Sequence, residues 1–208
     1  MKDNSLRMNM YYKKAYDVVI QSQRASTALL QRELGIGYST ATRLIEMLER
    51  KGAIKRKEDR HSQYELNTAG PAPTNIYLDI DGVLLANNKQ PALYAKEFLS
   101  YILEHFPNTT YWLTTHCMHD DAMEPIRNVG HLFDAETVAL MKKIKPTEWR
   151  IAKTEAIDFS KPFLWFDDDC YSEEHVALVQ HGALESWVEV NLSNDKYQLR
   201  TLIENFPK

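Results

Sequence analysis

Cysteine is nearly missing from this chain: the 208 residues hold two, Cys117 and Cys170, and no C-x-x-C spacing occurs. That excludes a disulfide framework and a cysteine zinc site, and free thiols suit a reducing compartment. No stretch approaches the ~18 consecutive apolar residues of a membrane span. The amino end, Met1-Lys2-Asp3-Asn4, lacks the apolar core of a secretory leader. The expectation is a cytoplasmic protein without a membrane partner. A Walker-type glycine loop ending in Lys-Ser/Thr is also absent, which excludes a P-loop motor.

What is present is an uneven distribution of charge. Residues 1–69 carry 13 Lys+Arg against 8 Asp+Glu, a net of +5, while residues 70–208 carry 12 against 21, a net of −9, giving −4 overall. A basic front and an acidic back suit a nucleic-acid contact joined to a carboxylate-rich site. The length allows one large or two small domains.

The front domain is read as residues 8–68. Tyr12, Ala15, Tyr16 and Val19 fall at the i, i+3, i+4, i+7 positions of an amphipathic helix. A short second helix starts at Ser26 as its cap, carries Leu29, Leu30 and Leu34, and stops at Gly35-Ile36-Gly37. Ala41, Leu44, Ile45 and Leu48 make the stripe of a third helix that ends at Lys51-Gly52. This is a helix-turn-helix pattern, and residues 53–66 add two short strands around a charged tip, the wing of a winged helix. Tyr38, Ser39, Thr40, Thr42 and Arg43 open the third helix, where a recognition helix meets base edges and phosphates. Lys55, Arg56, Lys57 and Arg60 place cations on the wing, predicting salt-dependent binding. A protein contact is the alternative use of such a domain.

The runs Ala15-Tyr16-Asp17-Val18-Val19-Ile20-Gln21-Ser22-Gln23-Arg24-Ala25-Ser26, Leu29-Leu30-Gln31-Arg32, Ile36-Gly37-Tyr38 and Arg43-Leu44-Ile45 resemble the gamma domain of the FtsK DNA translocases. The resemblance covers about the first third of the chain and implies double-stranded DNA as the ligand, with Arg24 joining the DNA-binding set. Ser39-Thr40 stands where that family usually has Asn-Arg, which leaves the base sequence read by this chain open. A linker is read over residues 69–75, since Asn67-Thr68-Ala69-Gly70-Pro71-Ala72-Pro73-Thr74 holds two prolines and a glycine without apolar periodicity.

The back domain, residues 76–208, alternates strand-like runs (76–80, 110–113, 163–166, 187–190) with helical segments (91–106, 120–129, 148–157, 172–181, 195–206). Such alternation predicts an α/β fold, a parallel sheet flanked by helices, with ligands at the carboxyl ends of the strands. At those ends lie Asp79-Ile80-Asp81-Gly82 and Asp167-Asp168-Asp169. Strand alternation points Asp79 and Asp81 to one side, so four or five carboxylates are expected in one crevice, and like charges that close need a cation to stay ionised. Magnesium is the expected cofactor, because it takes an oxygen shell of carboxylates, water and phosphate.

Asp79-x-Asp81-Gly82-Val83, then Thr114 after an apolar strand, then a lysine, then Asp167-Asp168, is similar to the four motifs of the haloacid dehalogenase superfamily, and the Rossmann-like fold follows from that resemblance. It implies that Asp79 is the nucleophile and that Asp81 is the acid and base, with its backbone carbonyl on the metal. Thr114 would donate to a phosphoryl oxygen, and Asp167 and Asp168 would complete the metal site. For the lysine, spacing favours Lys153, 14 residues before Asp167, over Lys145; Lys142 and Lys143 are weaker rivals. Trp112-Leu113-Thr114-Thr115 and Leu164-Trp165-Phe166-Asp167-Asp168 resemble the phosphatase modules of multidomain RNA-repair proteins.

Insertions long enough to cap the site are scarce, so a macromolecular phosphate is the expected substrate. His116, Cys117, His119, Asp120 and Asp121 could bind zinc, though helix capping is the simpler reading, and His116 could instead meet substrate. Trp149 and Tyr171 could stack on a base, though packing is the simpler reading, Asp169 opens a helix, and Glu173-Glu174 reads as a solvated first turn. The combined expectation is a phosphohydrolase tethered to DNA. A DNA-binding regulator with a non-catalytic back domain, or a small-metabolite phosphatase, are the alternatives, and the oligomeric state is left open.

Overall fold

The computed structural model describes residues 2–57, 60–66 and 74–206. The linker residues 69–73 therefore lie outside the described residues, as do the side chains of Lys57 and Arg60. The chain divides into two compact units, one chiefly residues 1–73 and the other chiefly residues 74–206.

The first unit runs α1 (Lys2–Ser22), α2 (Thr27–Leu34), α3 (Tyr38–Arg50), β1 (Ile54–Lys57), β2 (Arg60–Leu66). Its core collects Ala15, Val19, Leu30, Ala41, Leu44, Ile45 and Leu48, the positions that the 3.6-residue stripes single out. Ser26 caps α2 through Leu29 N–H at 3.2 Å. Gly35 leaves the helix at φ +64°, a left-handed conformation that admits glycine at little cost. The two strands pair antiparallel with an irregularity at Arg56/Lys57, and a bridge from Ala25 to Tyr64 fastens the wing to the helices. This is a winged helix.

The second unit runs β3 (Asn75–Leu78), α4 (Ala95–His105), β4 (Thr110–Trp112), α5 (Glu124–Val129), α6 (Ala135–Met141), β5 (Phe163–Asp167), α7 (Ser172–Gln180), β6 (Trp187–Glu189), α8 (Gln198–Glu204). Its strands form one parallel sheet in the order β4-β3-β5-β6. Period-two alternation sorts the two faces: Ile76, Leu78, Leu164 and Phe166 pack with α4, α6 and α8, while Tyr77, Phe163 and Trp165 pack with Leu178 of α7.

Three expectations about elements are corrected. The helix read over residues 148–157 is a single 3-10 turn, Lys153–Ala156, after an irregular stretch. Residues 135–141, where the sequence pattern predicts no element, form α6, which Asp134 caps, accepting from Thr137 N–H at 2.8 Å. Strand β3 stops at Leu78 rather than running to Ile80.

Candidate functional site

The β3–β5 register sets Leu78 beside Phe166, so Asp79 and Asp167 leave adjacent strands at the carboxyl edge of the sheet. Backbone bonds continue past the strand ends, with Asp79 N–H on Phe166 O at 3.0 Å and Leu113 N–H on Leu78 O at 2.8 Å. Asp79, Asp167 and Asp168 each offer a carboxylate oxygen, all within 4.8 Å of one another; this is the one such acidic group found among the described residues. Asp79 and Asp167 are buried and Asp168 is exposed.

Gly82 makes the approach of Asp168 possible. It sits at φ +74°, and a Cβ built there would fall 2.1 Å from Asp168 Cγ. No side chain fits in that space, and an L-residue would be strained there in any case.

Lys153 reaches into the trio, donating to Asp79 Oδ2 at 2.8 Å and to Asp167 Oδ2 at 2.6 Å. Lys145, its rival on sequence, lies elsewhere: its ammonium holds Asn108 O at 2.7 Å, and its backbone extends the sheet edge beside Tyr111. Trp165 Nε1 also donates to Asp167 Oδ2, at 2.8 Å, and Ile80 N–H donates to Asp79 Oδ1 at 2.7 Å.

The charges of this centre do not balance. Were all three carboxylates and the ammonium ionised they would sum to −2, with Asp79, Asp167 and Lys153 buried where such an excess is costly. Burial, and then the neighbouring Asp79, push Asp167 up to about 8 despite Lys153. The same two causes raise Asp168. Burial works against the charge on Lys153, but Asp79 and Asp167 outweigh it and hold the amine protonated. A divalent cation would restore neutrality, and an all-oxygen donor set fits a hard ion such as magnesium.

Asp81 does not join the trio, which corrects the expectation of four or five converging carboxylates. The two-residue alternation holds only within a strand, and here the chain has left β3 after Leu78 and entered a turn that starts at Ile80. Its carboxylate meets Lys89 Nζ at 2.6 Å and His116 Nε2 at 3.1 Å. Burial opposes ionisation of Asp81, but hydrogen bonds from Lys89 and His116 outweigh it and lower its pKa. Thr114 follows β4, fully buried, and its Oγ1 accepts from His116 N–H at 3.4 Å.

Glu174 is the residue that sequence reading misplaced. It is 3% exposed rather than solvated, and its two oxygens accept from Lys153 N–H (2.9 Å) and Tyr171 N–H (3.0 Å). The Tyr171 bond is a helix-cap contact that the three-residue spacing could have signalled. The Lys153 bond joins residues 21 apart, which no local pattern contains. Trp149 is packed in the core, whereas Tyr171 stands 63% exposed. In the ligand-rich segment, His119 bonds Glu124 and the Cys117 thiol is buried among backbone carbonyls.

In the first unit, Arg24, Tyr38, Ser39, Arg43, Lys55 and Arg56 are exposed and Thr40 is partly so. Arg56 folds back on Glu49 at 2.8 Å and lies over the Tyr64 ring. Thr42 departs from the expectation: its hydroxyl is buried without a partner, because position 42 borders the core stripe of Ala41 and Ile45.

Residues 7–62, most of the winged helix, match the Ftsk gamma domain; residues beyond 62 carry no family assignment. The chain is 38% identical over 68 residues to a DNA translocase FtsK of Clostridium acetobutylicum, covering 33% of this chain and 8% of that protein. It is 54% identical over 70 residues to the FtsK translocase of Staphylococcus epidermidis, covering 34% of this chain and 7% of that protein. A Ralstonia nicotianae translocase, FtsK 2, is 49% identical over 43 residues. The matched stretch is thus under a tenth of each relative. No solved structure matches the chain. No helix among the described residues is long and apolar enough to cross a membrane.

Proposed function

We propose that the second unit is a magnesium-dependent phosphohydrolase of the haloacid dehalogenase type, and that the winged helix holds it on double-stranded DNA. The observation that carries this reading is the meeting of the buried Asp79 and Asp167, both on Lys153, with the more exposed Asp168, a group that when fully ionised is two positive charges short of neutral. DNA binding is supported by the gamma-domain match and by the exposed Arg24, Tyr38, Ser39 and Arg43.

In this reading an oxygen of Asp79 attacks phosphorus, the bond to the leaving oxygen breaks, and Asp81 delivers the proton that oxygen needs. In the second step Asp81 takes a proton from water, the water oxygen bonds to phosphorus, and the bond to Asp79 breaks to release phosphate. Lys153 keeps Asp79 oriented and, with Thr114, balances charge on the phosphoryl oxygens. Magnesium, held by Asp79, Asp167 and Asp168 with the Asp81 carbonyl, would supply further positive charge for those oxygens. The pairing of Asp81 with Lys89 and His116 favours its base form; acting as an acid requires those partners to yield as the leaving group arrives. The substrate is a phosphate on a macromolecule, since the chain offers little that would enclose a small one.

Purified protein with magnesium should hydrolyse an aryl phosphate, and Asp79→Asn should lower the rate ~10^3-fold or more. Undiminished turnover in Asp79→Asn would eliminate the mechanism. Selective duplex binding without turnover of any phosphate, 5′- and 3′-phosphorylated oligonucleotides included, would instead favour a DNA-binding regulator.

A further inference from the structure

Two large side chains with apolar surface are exposed on the loops that carry the residues of the acidic centre. Ile151, two residues before Lys153, is 87% exposed, and Tyr171, three residues after Asp168, is 63% exposed. Single exposed apolar residues are ordinary. These two differ because the backbone beneath them is pinned. Glu155 accepts from Arg150 N–H at 2.9 Å and from Ala152 N–H at 3.4 Å, holding the turn on both sides of Ile151. The buried Glu174 then takes Lys153 N–H on one oxygen and Tyr171 N–H on the other. One carboxylate therefore joins the loop that delivers the lysine to the loop that delivers Asp167 and Asp168.

We propose that Tyr171, with Ile151 on the neighbouring loop, is the platform on which the nucleobase next to the reacting phosphate stacks, so that the site takes the phosphorylated, unpaired end of a nucleic acid. The inference rests on the phosphohydrolase reading for the phosphate's position. Asp168 and Tyr171 are separated by at most ~10 Å of extended chain, the reach from a terminal phosphate across its sugar to the base. A base presents a flat apolar face that an exposed tyrosine ring matches, and stacking of this kind tolerates any base. In a duplex the terminal base is held in its pair and stacked on its inner face, so an unpaired terminal nucleotide reaches the ring with less to break. Charge agrees as well: Lys89, paired with Asp81 and 63% exposed along its side chain, offers an ammonium beside Asp81 for the next phosphodiester. The pinned loops leave little to order on binding, which favours a rim built for a ligand.

The test is equilibrium binding of a 3′- and a 5′-phosphorylated dinucleotide, too short to form a duplex for the winged helix, to full-length Asp79→Asn protein with magnesium. Tyr171→Ala should weaken binding roughly tenfold and Tyr171→Phe should restore it, since only the ring face is used. Ile151→Ser should weaken it ~3-fold. Inorganic phosphate should bind all these proteins equally. Both positions are exposed, so unfolding midpoints should not move. Equal dinucleotide affinity with and without the Tyr171 ring, or no dinucleotide binding at all, overturns the platform. Tighter binding of a phosphoserine peptide than of either dinucleotide overturns it in favour of a protein substrate. Aryl-phosphate turnover by the unmodified chain is read separately: its absence sinks the phosphohydrolase, while the binding series still decides the platform.

Discussion

The two units handle charge in opposite ways. In the winged helix the cations proposed to meet DNA, Arg43, Lys55 and Arg56 among them, are exposed on a core assembled from neighbouring helical turns. In the α/β unit the charges are buried: Asp79, Asp167 and Lys153 are all at least nine-tenths shielded from water, and their side chains come from three separate segments. Exposed charges are screened by salt and each counts for little, whereas buried ones are screened weakly and must be compensated on the spot. The first surface should therefore answer to ionic strength and the second to a divalent ion.

The largest effect expected at the buried centre comes from Gly82→Ala. Its new methyl collides with Asp168 in a backbone conformation alanine resists. Phosphatase activity and the upward shift of the thermal midpoint caused by magnesium should both disappear, while duplex binding by the winged helix is retained. A magnesium-induced shift of normal size in this variant would break the contrast between the units.

Glu174→Ala leaves two backbone N–H groups without their acceptor. It should destabilise the α/β unit by about 2–4 kcal/mol in denaturant unfolding, and turnover should fall by more than the unfolded fraction accounts for.

The pH response sharpens the comparison further. Asp167 has its pKa raised to about 8 in the fold from a reference of 3.8, so between those values the folded state holds more proton than the unfolded one. Without metal, stability contributed by this group is present below about pH 4 and is lost as pH rises towards 8. Thermal midpoints of the parent minus those of Asp167→Asn should therefore decrease from pH 5 to pH 8 in chelator, and magnesium should flatten the trend. A difference that grows with pH in chelator would contradict the charge balance drawn here.

The smallest effects belong to the exposed surface. Arg43→Ala should weaken duplex binding across sequences and reduce the salt slope by about 1 if it meets a phosphate. Arg56→Ala should change binding less, because Arg56 is already turned towards Glu49 and Tyr64. Thr42→Val should leave DNA affinity unchanged, since its hydroxyl does not reach solvent. Loss of binding in that variant would mean that α3 meets DNA by another face.

The winged helix was the more readable unit because its signals are local. Ala41, Leu44, Ile45 and Leu48 lie within two turns, and Gly35 marks the turn by the conformation it permits. In the α/β unit the strands were readable, but the lysine was not decided: Lys145 and Lys153 are both plausible by spacing, and only the 3-10 turn at Lys153–Ala156 brings one of them to Asp79. The helix assumed for residues 148–157 failed because the turn is held by Glu155 and Glu174, side chains reaching back to its backbone, rather than by an apolar stripe. The helix α6 has a local signal in its cap, Asp134, but only seven residues in which to show an apolar stripe.

By itself the sequence determined the division into a basic and an acidic part, the three helical stripes and wing of the first, the parallel strands of the second, and the carboxylates waiting at their ends. Tertiary structure alone decided which acids meet, that Asp81 turns to Lys89 and His116, and that Glu174 is buried beneath the lysine loop. The reason is physical. Periodicity and caps are properties of residues a few positions apart, whereas the position of a buried charge depends on partners as distant along the chain as Asp79 and Lys153, 74 residues from each other, which only packing brings together.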